Sequence, residues 1–415
     1  MHNFNILAKF FISKDAKQLV DNFVSLSVLR FLNLVIPFLV LPYLIKTLGF
    51  EKYGVIVLSL SLTQYLQSIT DYGFNISATR ELARHKQSSK KASYIYSKVM
   101  LAKVVLLFFS IAVILPVIYI VPQFEENKTV FILMLLVLIG QTLFPEWFFR
   151  GVEKMRFITI LNLMIKLFFT LSVFLFINEK EDYWLYPLLN GVGCCAVMIV
   201  AQWIVIRKFT VRLQFVKFSV VNKTLKEGFP VFLNQFAPNL YNNTTVVMVG
   251  LILGNNSAGI FGAVKQVINL LVVFNSVVTM VFFPYISRRI EKFDVFKTFY
   301  LPILVVIVLI MALTKDMWYL IFNIDIKSGD EFYYILLAGV FFTGLYSVYA
   351  TCYLLVKKLD FVVLKLTLIS SFVGFFLTYP LIKYFHLIGA ASTISFTQAL
   401  LGVLALSAFK KSKSE

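Results

Sequence analysis

Apolar stretches long enough to cross a lipid bilayer recur along the whole chain. About twelve can be counted, since a transmembrane helix needs about 20 apolar residues; they fall at 23–45, 53–72, 98–121, 130–149, 157–177, 184–206, 229–253, 260–283, 298–321, 333–355, 362–384 and 388–409. Charged residues make up only 14% of the 415 positions, against about 25% in soluble domains. These features predict an all-α polytopic membrane protein with about twelve transmembrane helices. They exclude a soluble enzyme.

Two windows and the N-terminal segment differ from the others in composition. The windows at 53–72 and 388–409 are rich in Ser, Thr and Gln, which favours a face lined by protein over one that contacts lipid. Residues 1–22 carry Phe and Leu on one side and Lys on the other. That segment predicts a cytoplasmic amphipathic helix lying in the membrane surface.

Lysine and arginine are distributed unevenly between the loops. With the N-terminus in the cytoplasm, about 27 of the 39 cations fall in the N-terminal stretch, the even-numbered loops and the tail, and about seven fall in the odd-numbered loops. Because cations concentrate on the cytoplasmic side, both termini are predicted to be cytoplasmic. This topology also accounts for the net charge of +18, so no nucleic-acid partner is expected.

An internal repeat divides the chain into two halves. The recurrences are Leu48-Gly49 and Gly54 with Leu253-Gly254 and Gly259, 205 residues later, and Lys154-Met155-Arg156-Phe157 with Lys358-Leu359-Asp360-Phe361, 204 residues later. A repeat of six helices enters the membrane in the same orientation twice, which predicts a pseudo-two-fold axis along the membrane normal. We therefore predict six-helix bundles at 23–206 and 229–409, a basic cytoplasmic linker at 207–228 and a basic cytoplasmic tail at 410–415.

Charged side chains inside the predicted spans are candidates for function, because each costs about 2.5–3.5 kcal/mol at mid-helix on insertion scales. The candidates for a cationic, substrate-binding cavity are Arg30, Lys103, Lys166 and Lys265. Lys166 lies near the middle of the fifth window, too deep to reach the headgroups. Lys365 lies closer to a helix end, where a long side chain can reach them.

The seventh window carries a polar face. Gln235, Asn239 and Asn242 are spaced so that they share one side of a helix, and Gln235 lies one repeat offset after Arg30. Pro230 and Pro238 are expected to kink the helix. The polar face is predicted to bind substrate; the alternative is that it joins helices without contacting substrate.

Acidic residues are scarce in the spans. Asp71 and Glu146 each lie at the end of a predicted helix, where they could act in ion coupling or gating or could form salt bridges with nearby cations. The interior balance is therefore positive. A positive interior favours an anionic substrate such as a phosphate group.

The motifs of other chemistries are missing. The three histidines are far apart and no CxxC pair occurs, so no metal site is expected. The phosphate-binding sequence GxxxxGK[ST] and the nucleophile sequence GxSxG are both absent. The sequence predicts neither a catalytic residue nor a cofactor, and no ATPase of its own.

Three stretches resemble a known family. They are LPYLIKTLGFEKYG at 41–54, DYGFNISATRELARH at 71–85 and LFPEWFFRGVEKMRFITI at 143–160. Together they are similar to the Wzx-type polysaccharide flippases of the MOP (MATE-like) transporter superfamily. The resemblance covers essentially the whole chain.

The resemblance implies a multi-pass protein of the bacterial inner membrane that moves an undecaprenyl-pyrophosphate-linked oligosaccharide from the cytoplasmic to the periplasmic leaflet. The glycan would be an O-antigen, a capsule or a related repeat unit. Membrane lipid and other glycan-assembly membrane proteins are the further partners it suggests. The family motifs lie at loop junctions, so the assignment of Arg30, Lys166 and Lys265 to the substrate rests on their depth.

Three alternatives stay open. A MATE-like multidrug or cation antiporter would need an interior acid that competes for cations. The peptidoglycan-precursor flippases are related, but they usually have fourteen helices. A membrane-embedded glycan polymerase or ligase would generally carry a large external loop, whereas the predicted outer loops at 122–129, 178–183 and 254–259 are short.

Overall fold

The computed structural model describes the backbone at 14–85, 88–324 and 330–414, and the side chains at 36, 38–85, 88–324 and 331–413. Within those ranges the chain is helical almost throughout and forms no β-strand. Its helices are α1 Lys14–Asp71, α2 Phe74–His85, α3 Ser89–Ile120, α4 Pro122–Glu126, α5 Lys128–Leu143, α6 Glu146–Gly151, α7 Arg156–Phe176, α8 Leu185–Lys208, α9 Phe218–Phe236, α10 Asn239–Leu253, α11 Asn255–Arg288, α12 Phe293–Leu313, α13 Lys315–Ile321, α14 Asp330–Tyr346 and α15 Asp360–Ser414. A π-helix at Ser347–Leu354 follows α14, and 3₁₀ turns occupy Lys180–Trp184 and Ile290–Lys292.

Every predicted window lies mainly on helical backbone, with short breaks inside some windows. Eight ranges are long and apolar enough to cross a membrane among the residues described: Ser89–Ile120, Lys128–Gly151, Arg156–Phe176, Lys180–Lys208, Asn255–Arg288, Ile290–Leu313, Glu331–Leu354 and Asp360–Lys413. The last range holds two windows, separated by the non-helical backbone of His386. The seventh window is divided between α9 and α10 just before Pro238. The prediction of an all-α polytopic membrane protein is confirmed.

The N-terminal prediction lies mostly outside the described residues. From Lys14 onward the backbone is already part of α1. The two windows of α1 are separated at Gly49, whose φ of 73° and ψ of 167° interrupt the helix.

The glycine turns of the internal repeat have matching backbone conformations. Gly49 has φ 73° and ψ 167°, and Gly254 has φ 87° and ψ 170°. A β-carbon added to Gly54 would lie 1.8 Å from the carbonyl oxygen of Asn255, and one added to Gly259 would lie 2.1 Å from that of Phe50. These two contacts exchange under the 205-residue offset. The turns therefore pack against each other in a locally two-fold manner, as expected of a self-complementary contact.

The second recurrence also has a structural counterpart, with a corrected register. Glu153 and Lys358 both adopt positive φ, 57° and 61°. The amides of Lys154 and Leu359 both donate five residues back, to Phe149 and Leu354, at 2.9 Å. Because 153 and 358 differ by 205, this turn shares the offset of the glycine turns. The offset of 204 taken from the sequence is wrong by one residue, since the lysines matched there are one position apart in the turn.

The chain forms two compact units, each made of three separate segments. Unit 1 comprises Met1–Pro37, Leu66–Phe176 and Leu185–Phe232, and unit 2 comprises Phe38–Tyr65, Ile177–Trp184 and Leu233–Glu415. Phe38–Tyr65 of α1 thus clusters with the C-terminal helices, whereas the end of α1 from Leu66 onward belongs to unit 1. The division at 206 and 229, with its linker and tail, stays a prediction.

Unit 1 has an aromatic core in which two of the family-like stretches meet. Trp147, Phe148 and Phe149 of α6 are buried together with Phe74 of α2. The hydroxyl of Thr79 in α2 donates to the carbonyl of Trp147 at 3.1 Å. This packing fixes one face of the amphipathic helix α2 and leaves its opposite face outside the core.

Unit 2 has a separate core near the end of the chain. Phe293 of α12 contacts Tyr353 and Phe409, with ring centroids 4.8 and 5.4 Å apart. Asp294 binds Lys413 at 3.0 Å. The end of α15 is therefore held against the start of α12.

Candidate functional site

A cavity of about 500 Å³ lies inside unit 2, between the second half of α1, α10, α11, α14 and α15. Its lining combines apolar surface with many amides and hydroxyls. The polar lining residues are Tyr53, Ser61, Gln64, Asn239, Tyr241, Asn242, Asn243, Lys265, Gln266, Asn269, Thr343, Tyr346, Thr367 and Gln398. Lys265 is the one charged residue among the described residues that line it.

Lys265 is held by a backbone oxygen. Its Nζ donates to the carbonyl of Asn242 at 2.9 Å, and within the described ranges no carboxylate lies close enough to form an ion pair with it. A partly buried cation that is compensated only by dipoles gains strongly from an anionic ligand. The cavity therefore suits a group that carries negative charge.

The predicted polar face is present on α10 and forms a hydrogen-bonded row. The amide of Asn243 donates to Oδ1 of Asn239 at 2.9 Å, and the amide of Asn239 donates to the carbonyl of Gln235 at 3.4 Å. Pro238 immediately precedes α10 and supplies no amide hydrogen. The row bridges the break between α9 and α10 and presents its other amide groups to the cavity.

The side of the cavity formed by α14 and α15 carries further polar groups. Oε1 of Gln398 in α15 is buried without a hydrogen-bond partner. Tyr346 shares a hydrogen bond of 3.2 Å with Thr367, and the π-helix begins at the next residue. Such π-helical segments are rare and often occur at functional sites.

Two predicted site residues of unit 1 are partners of each other. Nζ of Lys103 in α3 lies 3.0 Å from a carboxylate oxygen of Asp71 at the end of α1. The side chain of Lys103 is 2% exposed and that of Asp71 is 22% exposed. The cation that was predicted to face substrate is thus neutralised by the acid that was predicted to couple ions.

The remaining predicted residues are dispersed. Glu146 accepts a hydrogen bond from Arg150 at 3.0 Å within α6. Lys166 is half-buried in α7 and lies near Cys194 of α8. Gln235 is exposed at the end of α9. The side chain of Arg30 lies outside the described residues.

Several residues that line the cavity were not predicted from the sequence. Gln64 and Gln398 lie in the two windows that their Ser, Thr and Gln content marked as protein-facing, so that composition was a usable signal for both. Gln266 and Asn269 follow Lys265 by one and four residues and had no signal of their own. Asn239, Asn242 and Lys265 are the predicted residues that the structure brings into one cavity.

Comparison with solved structures defines the fold. A multidrug-resistance MATE family transporter of the MOP superfamily, in an inward-facing conformation, aligns with a TM-score of 0.69 and 14% identity over 95% of this chain and 98% of that one. The lipid II flippase MurJ, in an inward closed conformation, aligns with a TM-score of 0.69 and 15% identity over 94% and 87%. The fold is that of the MOP-superfamily transporters.

The family follows from sequence. The chain belongs to the family described as "Polysaccharide biosynthesis protein", whose model matches residues 19–289. A protein of Escherichia coli (strain K12) described as "Putative O-antigen transporter" is 26% identical over 94% of this chain and 97% of its own length. One of Shigella dysenteriae with the same description is 26% identical over 56% and 59%. The resemblance seen in the three stretches is confirmed.

Proposed function

We propose that this protein is a flippase for a lipid-linked oligosaccharide with a polyprenyl pyrophosphate anchor, and that the cavity of unit 2 binds its phosphate-bearing head. The observation that carries the proposal is Lys265, a cation without a carboxylate partner among the described residues, set among amides. The relatives described as O-antigen transporters support the glycan as cargo. The protein is then a transporter of the bacterial inner membrane, with both termini cytoplasmic, and no enzyme.

The chemistry of the cavity suits both parts of such a head group. An ammonium group attracts a phosphate as a point charge, and Lys265 is anchored so that its charge stays in the cavity. Sugar hydroxyls both donate and accept hydrogen bonds, and they find matching partners in the side-chain amides of Asn239, Asn242 and Gln398. Other glycan-assembly membrane proteins would supply and remove this lipid.

The driving force for outward movement can come from the membrane potential. With the cell interior negative, export of an anion is favoured by about 2.3 kcal/mol per charge per 100 mV. Alternating exposure of a site between two helix bundles provides the route. A proton or sodium gradient is a further source of energy that the same cycle could use.

The alternative function, a cation antiporter, would need a negatively charged site. Its cargo cation and its coupling ion would bind in turn to the same carboxylate. The described residues that line the cavity of unit 2 include no Asp or Glu. The lining thus favours an anionic cargo.

The test is transport by the purified full-length chain in sealed liposomes. The cargo is a fluorescent polyprenyl-pyrophosphate oligosaccharide, the potential is imposed with a potassium gradient, and Lys265→Gln is compared with the parent chain. Lys365→Gln is the matched control, because it removes the same charge from an exposed position of α15 outside the cavity lining.

We expect potential-dependent flipping that Lys265→Gln lowers at least tenfold and Lys365→Gln leaves within twofold. Equal loss in both variants would assign the effect to overall charge and refute the cavity as the site. If no lipid-linked sugar moves while a soluble organic cation does against a proton gradient, the antiporter function replaces this one.

A further inference from the structure

A second cavity, of about 260 Å³, lies in unit 1 along α2, where it extends from buried residues of the aromatic core to the exposed side of that helix. It is lined by Phe74, Ser77, Ala78, Arg80, Glu81, Arg84, His85, Lys98, Val99, Thr224, Glu227 and Gly228. Much of its wall comes from the stretch at 71–85 that resembles the family, and the flippase proposal gives that stretch no role.

Arg80 and Arg84 give the cavity its chemistry. They are four residues apart on α2 and therefore share one face of the helix. Both are exposed, and in the part of the chain whose side chains are described neither forms an ion pair or hydrogen bond. Like charges at this spacing repel each other in the helix, so an anion placed between them relieves the repulsion. Guanidinium groups bind phosphate oxygens in a planar, two-pronged manner.

The carboxylates at the cavity are already engaged. Glu81 binds Nζ of Lys98 at 2.7 Å, so these two charges cancel. Glu227 is exposed and lies 3.9 Å from Nζ of Lys223. The two unpaired guanidinium groups therefore leave the lining of the cavity with a net positive charge.

The position of the cavity indicates a ligand held in the membrane. Lys98 and Val99 belong to α3, which crosses the membrane and begins only a few residues after α2 ends. Tyr94 of α3, four residues before Lys98, and Phe229 of α9, next to Gly228, are 40% and 47% exposed, which is typical of aromatic residues at the headgroup level. We propose that this cavity binds the phosphate group of a membrane lipid, either an anionic phospholipid or the lipid carrier of the cargo.

The rigid backing of α2 preorganises this site. Thr79 is bonded to the carbonyl of Trp147, and a β-carbon on Gly151 of α6 would lie 2.8 Å from the side chain of Leu82. The helix is thus packed closely on its inner face, so the backbone positions of the two arginines on its outer face are fixed relative to each other. Preorganised donors bind more tightly because less motion is lost on binding.

The test measures binding of fluorescent short-chain phosphatidylglycerol to the purified full-length chain in a neutral detergent. Arg80→Gln/Arg84→Gln is compared with Lys90→Gln/Lys91→Gln, which removes the same charge from exposed positions at the start of α3, outside the cavity. We expect at least a tenfold weaker affinity in the arginine variant and less than a twofold change in the lysine variant. Helix content and elution volume check that both variants are folded.

A third variant tests the sign of the effect. Glu81→Gln removes one negative charge and releases Lys98, so it should bind the lipid at least threefold more tightly. Equal weakening in the arginine and lysine variants, or weaker binding by Glu81→Gln in a folded protein, would overturn the proposal.

Competition separates the sources of the phosphate. Undecaprenyl pyrophosphate that displaces the probe at least tenfold better than unlabelled phosphatidylglycerol identifies the lipid carrier, and the reverse order identifies a phospholipid. Displacement by inorganic pyrophosphate as effective as by either lipid would show a soluble ligand and overturn the membrane assignment. These binding results do not depend on whether the cavity of unit 2 transports anything.

Discussion

The loss of stability on breaking the Asp71–Lys103 pair should depend on which of the two residues is replaced. Asp71→Asn leaves Lys103, whose side chain is 2% exposed, without the counter-ion that lies 3.0 Å from its Nζ. Breaking a buried pair in this way costs about 3–5 kcal/mol. Lys103→Met leaves the carboxylate of Asp71, which is 22% exposed and can keep some water, so we expect a smaller loss of about 1–3 kcal/mol.

The double variant Asp71→Asn/Lys103→Met supplies the control. It has no unpaired charge, and replacement of a buried pair by neutral groups is often close to neutral. We expect it to be more stable than Asp71→Asn alone, with a coupling energy of about 1–3 kcal/mol between the two sites. The free energy of unfolding would be measured in mixed micelles with increasing fractions of a denaturing detergent, followed by the fluorescence of the four tryptophans.

Two results would refute this reasoning. Additive losses in the double variant would mean that the two side chains do not interact in the protein. Equal losses in the two single variants would mean that Lys103 is hydrated, contrary to its burial. Transport by a stable double variant would assign the pair to structure, whereas its loss would restore Asp71 as a candidate for ion coupling.

Further outcomes follow from the same contacts. Gly259→Ala should destabilise the chain by about 1–3 kcal/mol, because its β-carbon would lie 2.1 Å from the carbonyl oxygen of Phe50; unchanged unfolding in micelles would show that the glycine turns can separate freely. Gln398→Leu should keep the fold, since its Oε1 has no partner to lose, and should lower flipping of the oligosaccharide more than flipping of a lipid pyrophosphate without sugar; equal effects on both cargoes would place Gln398 outside the sugar contacts. Thr79→Val should destabilise unit 1 by about 0.5–1.5 kcal/mol through loss of its hydrogen bond to Trp147, and an unchanged unfolding curve would contradict that role for the hydroxyl.

The helices were predictable because lipid imposes a length and an apolar composition that a sequence displays directly. The turns at Gly49 and Gly254 were visible as a recurring motif, and their matching backbone confirms the local repeat. The pairing of Asp71 with Lys103 was not predictable. Those residues are 32 positions apart on different helices, and the depth of a side chain in the membrane does not reveal which neighbour faces it.

Some residues of the cavity could be predicted from the sequence and others could not. Lys265 was conspicuous because a charge in an apolar window is costly. Gln266 and Asn269 were not, since uncharged polar residues occur throughout helix interfaces in membranes. Only the packing of α11 against α10 and the second half of α1 shows which of them reach the cavity.

The two repeats share a backbone conformation but differ in their side chains, and this difference can be tested in the cavity of unit 2. The position equivalent to Lys265 is Leu60, 205 residues earlier, and both residues line the same cavity. The reciprocal contacts of Gly54 and Gly259 indicate that the two helices are locally related by a two-fold axis near this point. Lys265→Leu alone should therefore abolish flipping, whereas Leu60→Lys/Lys265→Leu returns a cation to the opposite wall and should recover a measurable part of it. Recovery would mean that the cavity needs a positive charge more than a particular geometry. A folded double variant with no recovery would mean that the bond from Lys265 to the carbonyl of Asn242 sets the position of the charge, and that the two repeats are no longer interchangeable.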